Sequence, residues 1–246
     1  MSYQKEKSLT QTPSQLNELS ESRNRTQSTV RAITTIYPLK ITFVGDSSVG
    51  KTSLISKYCE EKFNPEGTNP TISVGILEKN VKIDSLTETK LSIWDTAGSE
   101  KYLSFTASYL RESNGIIIVF DFTNEKSFKD LDMWIDLIND NVGFEKVVKI
   151  LVGNKSDLPD RKINEEEAKH YAGEHGMKFI SVSAKVGVNI DYLFEVVAND
   201  CVKNLLQDKN QKENNKDKND NEEKINMLGV ENNNKNNNDK KKRKCC

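Results

Sequence analysis

Gly45-Asp46-Ser47-Ser48-Val49-Gly50-Lys51-Thr52 constrains this chain more than any other stretch, because a strand-like run, Lys40 to Val44, leads into it and a helix-like run, Ser53 to Ser56, leads out. A glycine-rich turn in that context is a phosphate-binding loop. Glycine at each end lets the backbone close around a polyphosphate, and successive N–H groups and the helix N-terminus meet the anion. Lys51 adds a positive charge, Thr52 presents a hydroxyl to Mg²⁺, and Ser48, Val49, Gly50 and Ser53 complete the cradle. A chance match, or a loop serving an ATPase or kinase, is the competing reading. The loop alone does not name the base.

A second motif does. Asn154-Lys155-Ser156-Asp157 follows the apolar run Val147 to Val152, at the carboxyl end of a strand, where open α/β sheets bind ligands. The Asp157 carboxylate accepts through two oxygens, so it can take both the ring N1–H and the exocyclic amine of guanine, an arrangement adenine does not offer. Ser183-Ala184-Lys185 follows another strand, 178–182, in position to give a backbone N–H to the guanine O6. An Asn-Lys-x-Asp standing alone would be an ordinary polar turn; order and context lift it above that.

Between them lies Ile93-Trp94-Asp95-Thr96-Ala97-Gly98, also at a strand end. Asp95 can hold Mg²⁺ through a water and the Gly98 N–H can reach a γ-phosphate, where a larger side chain would block the approach. The plain alternative is a loop with a helix start nearby.

With these motifs and the terminal Cys245-Cys246, the chain resembles the Ras-like small GTPases, and among them the Rab family, over residues 38–206. The resemblance implies an α/β, three-layer P-loop GTPase fold with a six-stranded, mainly parallel sheet, one antiparallel edge strand and helices on both faces. It also implies two switches. The first is Glu60 to Pro70 with Thr71, which matches the threonine that ligands Mg²⁺ and caps the γ-phosphate; the second is Ala97 to Arg111. Both would relax once the γ-phosphate leaves. Phe63 matches the aromatic that packs against the base, or is a core phenylalanine. Implied partners are GTP and GDP, an exchange factor, a TBC-type GTPase-activating protein, a GDP-dissociation inhibitor or escort protein, and effectors.

Two departures from the family pattern carry consequences. The residue after Gly98 is usually a glutamine that orients the attacking water, and here it is Ser99, whose hydroxyl is too short to span to that water. Together with Lys51, Thr71 and Gly98 it makes up the expected catalytic set, with slow intrinsic turnover. An activating protein that brings arginine and glutamine in trans would restore the rate; a GTP-locked scaffold is the alternative. The second departure is Ile76, which replaces the aromatic of the effector-facing trio while Trp94 and Tyr109 keep theirs. Ile76 packing between the switches is the simpler reading.

Periodicity agrees with alternating strands and helices: apolar runs at 40–44, 91–94, 115–121, 147–152 and 178–182 read as strands, and 51–60, 125–140, 164–175 and 189–206 as helices. Strands separated by helices imply a mainly parallel sheet covered on both faces. Segment 72–95 has no helix between its strand-like parts and reads as a hairpin turning near Asp84 to Thr89.

The longest apolar run, Ile116 to Phe120, is too short to span a bilayer, and the polar start Met1-Ser2-Tyr3-Gln4-Lys5 is no secretory signal, so a cytosolic protein is expected. Cys59 and Cys201 sit in helical patterns as isolated thiols, and the four cysteines show no metal-ligand spacing. Residues 1–37, rich in Ser, Thr, Gln and Asn, and 207–246, dominated by Asn, Lys, Asp and Glu, bury too little apolar surface to order by themselves. Leu16-Asn17-Glu18-Leu19 could nucleate a turn of helix on a partner, and the apolar island Ile225 to Val230 is a docking peptide or, more simply, a chance cluster. The terminal Lys240 to Lys244 run with Cys245-Cys246 resembles the Rab double-geranylgeranylation signal. Two chains at about 0.8 kcal/mol per buried CH₂ hold stably where one is marginal, and each nearby cation adds about 1 kcal/mol at an anionic leaflet. A peripheral place on the cytosolic face of intracellular membranes follows. A nucleic-acid patch is disfavoured by the net charge of −1.

Overall fold

A computed structural model of the chain describes residues 35–65, 71, 74–98, 103–143 and 147–209. Six strands form one sheet: β1 (Thr35–Val44), β2 (Gly75–Lys82), β3 (Thr87–Asp95), β4 (Gly115–Asp121), β5 (Val148–Asn154) and β6 (Lys178–Ser181). Their spatial order is β2-β3-β1-β4-β5-β6. All pairings are parallel except β2 with β3, which pair antiparallel as the hairpin pattern requires. Between the strands lie α1 (Lys51–Glu60), α2 (Leu103–Leu110), α3 (Glu125–Lys129), α4 (Leu131–Asn141) and α5 (Glu165–Glu174), with α6 at 190–209 closing the described part.

β4, Gly-Ile-Ile-Ile-Val-Phe-Asp, is buried at every position, the near-continuous apolar pattern of a strand covered on both faces. Its residues divide between two cores. Ile117 and Val119 join Leu54 and Tyr58 of α1 and Leu193, Phe194 and Val197 of α6. Ile116, Ile118 and Phe120 join Leu110 of α2, Trp134 and Ile138 of α4 and Ala168 and Ala172 of α5. Each large side chain removed from water contributes about 1.5–3 kcal/mol, so the two faces jointly fix the three layers. Tyr58 stacks on Phe194 with ring centroids 3.7 Å apart, which locks α1, and the loop before it, against α6.

β2 alternates half-buried and exposed positions, as an edge strand with one wet face does. Lys79 ties this edge to α1, donating from Nζ to the Tyr58 carbonyl at 2.6 Å above the Tyr58 ring.

Several boundaries differ from the sequence expectation. β1 begins at Thr35, not at 40, so the first strand takes in 35–37 as well. Pro38 is tolerated because Lys40, of the same parity, points its N–H away from β3 to the Asn114 side chain at 2.8 Å, and β4 pairs with β1 only from Ile41. The helix expected over 125–140 is two helices that break at Asp130, and α2 forms inside the stretch expected to be a switch. Asn164 caps α5, its Oδ1 accepting from the Glu167 N–H at 2.7 Å.

Candidate functional site

The loops after β1, β3, β5 and β6, with Phe63 to Pro65 and Thr71, enclose a cleft of about 410 Å³ at the carboxyl ends of the parallel strands. Of the expected residues, Ser48, Gly50, Lys51, Thr52, Ser53, Phe63, Thr71, Gly98, Asn154, Lys155, Asp157, Ala184 and Lys185 line it, and Ser47, Asn64, Pro65 and Leu158 join them. Val49, Asp95 and Ser183 are buried and outside this lining set. Phe63 fits both of its readings, since it lines the cleft and packs on the core.

Gly50 caps α1 in the left-handed region, φ 97°, with no side-chain cap and no acid in the first turn, so the positive helix end stays available to an anion. Ser48 takes φ 65° just before it, and such left-handed steps curl a loop into an anion nest. A Cβ at Gly50 would stand 2.3 Å from Asn154 Nδ2, so the phosphate and base loops touch where only glycine fits.

The buried Lys51 ammonium donates to the carbonyls of Gly45 at 2.7 Å and Asp46 at 2.8 Å. Burial pushes its pKa down to about 8, with Asp95 and Asp46 partly opposing the shift. Holding phosphate needs the charged form, so nucleotide binding is expected to draw a proton onto Lys51 and affinity to fall as pH rises above about 8. Titration calorimetry at pH 8 in buffers of different ionisation enthalpy is expected to show uptake of about half a proton. Proton release at that pH would contradict this account of Lys51.

Thr52 Oγ1 donates to Asp95 Oδ2 at 2.6 Å and lies 3.0 Å from Thr71 Oγ1. Burial raises the Asp95 pKa, while the Thr52 hydrogen bond and the Lys51 charge lower it. Among the described residues Asp95 Oδ1 is the buried side-chain oxygen without a hydrogen-bond partner. An orphaned carboxylate oxygen beside two hydroxyls is a hard oxygen donor set that fits Mg²⁺. When bound there, Mg²⁺ supplies charge neutralisation to the phosphate oxygens. Thr52, Thr71 and Asp95 are the residues that would hold it.

At the base end, Asp157 Oδ1 accepts from Ser183 Oγ at 2.6 Å, which fixes the carboxylate expected to read guanine. Asn154 lines the cleft and also braces it. Its Nδ2 donates to the Val49 carbonyl at 2.9 Å and its Oδ1 accepts from the Ala184 N–H at 3.2 Å, so the amide braces three loops. Lys155 donates from Nζ to the Ser48 carbonyl at 3.0 Å and pairs with Asp121 at 2.6 Å.

Sequence reasoning missed two residues that hold this site: Asp46, whose Oδ1 accepts from Trp134 Nε1 at 2.9 Å, and Asp121. The place of Asp121 at the carboxyl end of an apolar run was the available signal. The effector-facing trio stands elsewhere: Trp94 and Tyr109 lie 5.8 Å apart, and Ile76, paired with Trp94 across the hairpin, is 52% exposed and so is not a packed core residue. Ser99, residues 66–70, Cys245 and Cys246 and both terminal segments lie outside the described residues.

Residues 40–203 match the family model described as Ras, Ras family. The chain belongs to that family, and is a small GTPase. Its relatives place it in the Rab branch. It is similar to Ras-related protein Rab-13 of Bos taurus, 39% identical over 164 residues that cover 66% of this chain and 79% of the relative. It is likewise similar to Ras-related protein RabG2 of Dictyostelium discoideum, 38% identical over 168 residues, 68% of this chain and 84% of the relative. GTP-binding protein ypt2 of Schizosaccharomyces pombe is 35% identical over 176 residues, 71% and 86% of the two chains.

Proposed function

We propose that this Rab GTPase is a slow, GTP-hydrolysing switch in vesicle and membrane traffic, held on the cytosolic face of intracellular membranes by lipids on Cys245 and Cys246. The observation that carries the switch is the meeting of Lys51, Thr52, Thr71 and Gly98 at one end of a cleft whose other end presents Asp157. Phosphate and Mg²⁺ ligands from both switches and a guanine-reading carboxylate then act on one molecule, so loss of the γ-phosphate frees Thr71 and Gly98 together. Ile76, Trp94 and Tyr109 form the surface that effectors read, with an exchange factor, a TBC-type activating protein and a GDP-dissociation inhibitor or escort protein as regulators. No described helix is long and apolar enough to cross a membrane, and the Lys240 to Lys244 run before the terminal cysteines suits a lipid anchor.

Ser99 sets the rate and keeps a second reading in view, a GTP-bound scaffold. Single-turnover assays are expected to show the wild type about tenfold or more slower than Ser99→Gln, about 1.4 kcal/mol of transition-state stabilisation. Conversion to GDP with a TBC-type protein supports the switch; GTP retained under that treatment favours the scaffold. Tagged protein is expected to leave membranes when both cysteines become serine, and unchanged membrane association would overturn the anchor.

A further inference from the structure

We propose that Asp121 is a positioning residue for nucleotide retention, its buried carboxylate holding the Lys155 ammonium and, through it, the guanine-reading loop against the phosphate loop. The proposal rests on the nucleotide reading of the cleft given above. Asp121 ends β4 in register with Asn154 at the end of β5, one residue before Lys155. Its oxygens have separate partners. Oδ1 accepts from both the N–H and the hydroxyl of Thr123, each at 2.8 Å, and Oδ2 meets Lys155 Nζ at 2.6 Å with the carboxylate side chain only 6% exposed. Ser127 Oγ accepts from the Asp121 N–H at 3.0 Å, so the backbone behind the carboxylate is also fixed.

Lys155 itself takes φ 63°, a left-handed conformation that a lysine adopts when its surroundings hold it there. The same ammonium donates to the Ser48 carbonyl at 3.0 Å. One cation thus joins the end of β4 to the phosphate loop, parallel to the strut that Asn154 makes to Val49. The Lys155 side chain lines the cleft with its far end anchored on that pair of oxygens. Removing the charge at 121 leaves the ammonium one carbonyl and no counter-charge, and the lysine is then free to leave the cleft wall.

The competing role for Asp121 is local, a cap for the turn through Thr123. A double-mutant cycle on the dissociation of a fluorescent GDP analogue from the full chain separates the two. Asp121→Asn keeps an acceptor for Thr123 and loses the charge, and Lys155→Met keeps the stem and loses the ammonium. Each is expected to speed dissociation about tenfold, and the double variant no more than either one. Thr123→Val is expected to change it by less than about twofold. Additive effects, or an Asp121→Asn variant that unfolds more easily while releasing GDP at the wild-type rate, would overturn the proposal. Should Asp121→Asn not fold, Asp121→Ser, which also keeps an acceptor and loses the charge, runs the same cycle with the same two readings. Wild-type protein that binds no guanine nucleotide would overturn the reading of the cleft as well, which distinguishes that failure from this one.

Discussion

Asp157→Asn is expected to weaken GTP binding by about a hundredfold or more and to move preference toward xanthosine triphosphate. Hydrogen bonds to a charged group are worth about 1.5–3 kcal/mol each, and the carboxylate is placed to accept two from guanine. An amide keeps one acceptor and turns an N–H₂ toward the exocyclic amine of the base, so an attraction becomes a donor facing a donor. Xanthine carries a carbonyl oxygen at that position and accepts from the amide. Ser183 Oγ holds Asp157 Oδ1 at 2.6 Å, so the side chain cannot swing away to avoid the mismatch. Competition between GTP and xanthosine triphosphate for wild type and variant checks both halves. A variant that still prefers GTP by the wild-type margin would remove Asp157 from base recognition.

Gly98→Ala is expected to lower GTP turnover by about a hundredfold while changing GDP affinity by less than about tenfold. A Cβ there would lie 2.3 Å from the Asp46 carbonyl oxygen and 2.4 Å from Lys51 Nζ. The lysine end can move. The Asp46 peptide cannot move cheaply, because Trp134 holds the Asp46 side chain and Lys51 donates to its carbonyl. Alanine therefore pushes the second switch off the phosphate loop, which matters only when a γ-phosphate is there to be met. Single-turnover hydrolysis followed over hours, beside GDP-analogue dissociation, reads the two states separately. Unchanged hydrolysis would show that the approach of Gly98 to the phosphate loop plays no part in turnover.

How far the fold could be read from the sequence varied with what the residues display. β4 was legible because Ile116 to Phe120 is apolar at every step, and the β2–β3 hairpin because no helical spacing separates its halves. The start of β1 was not, since Thr35, Tyr37 and Pro38 break the apolar run, and their place depends on pairing with Thr87 to Lys90, which a local pattern does not show. The break at Asp130 was hidden because apolar spacing runs through it. The helix in the second switch was not legible because it is short and mixes exposed and buried large apolar residues, Phe105 being exposed while Leu110 is buried in the core.

At the site, residue identities were legible and their division of labour was not. Glycine spacing announced the phosphate loop, and Asp157 announced guanine. That Asn154 spends both ends of its amide on backbone groups, or that Asp121 neutralises Lys155, follows from strand register and loop contact. Neither is written in a motif.

The most direct test of the central claim is to purify the full chain, release its bound nucleotide by heat and identify it by ion-exchange chromatography, with GTP and ATP competing for the emptied protein in Mg²⁺. The account predicts close to one guanine nucleotide per chain and displacement by GTP but not by ATP. Protein that emerges without guanine nucleotide, or that takes ATP in preference, would contradict it.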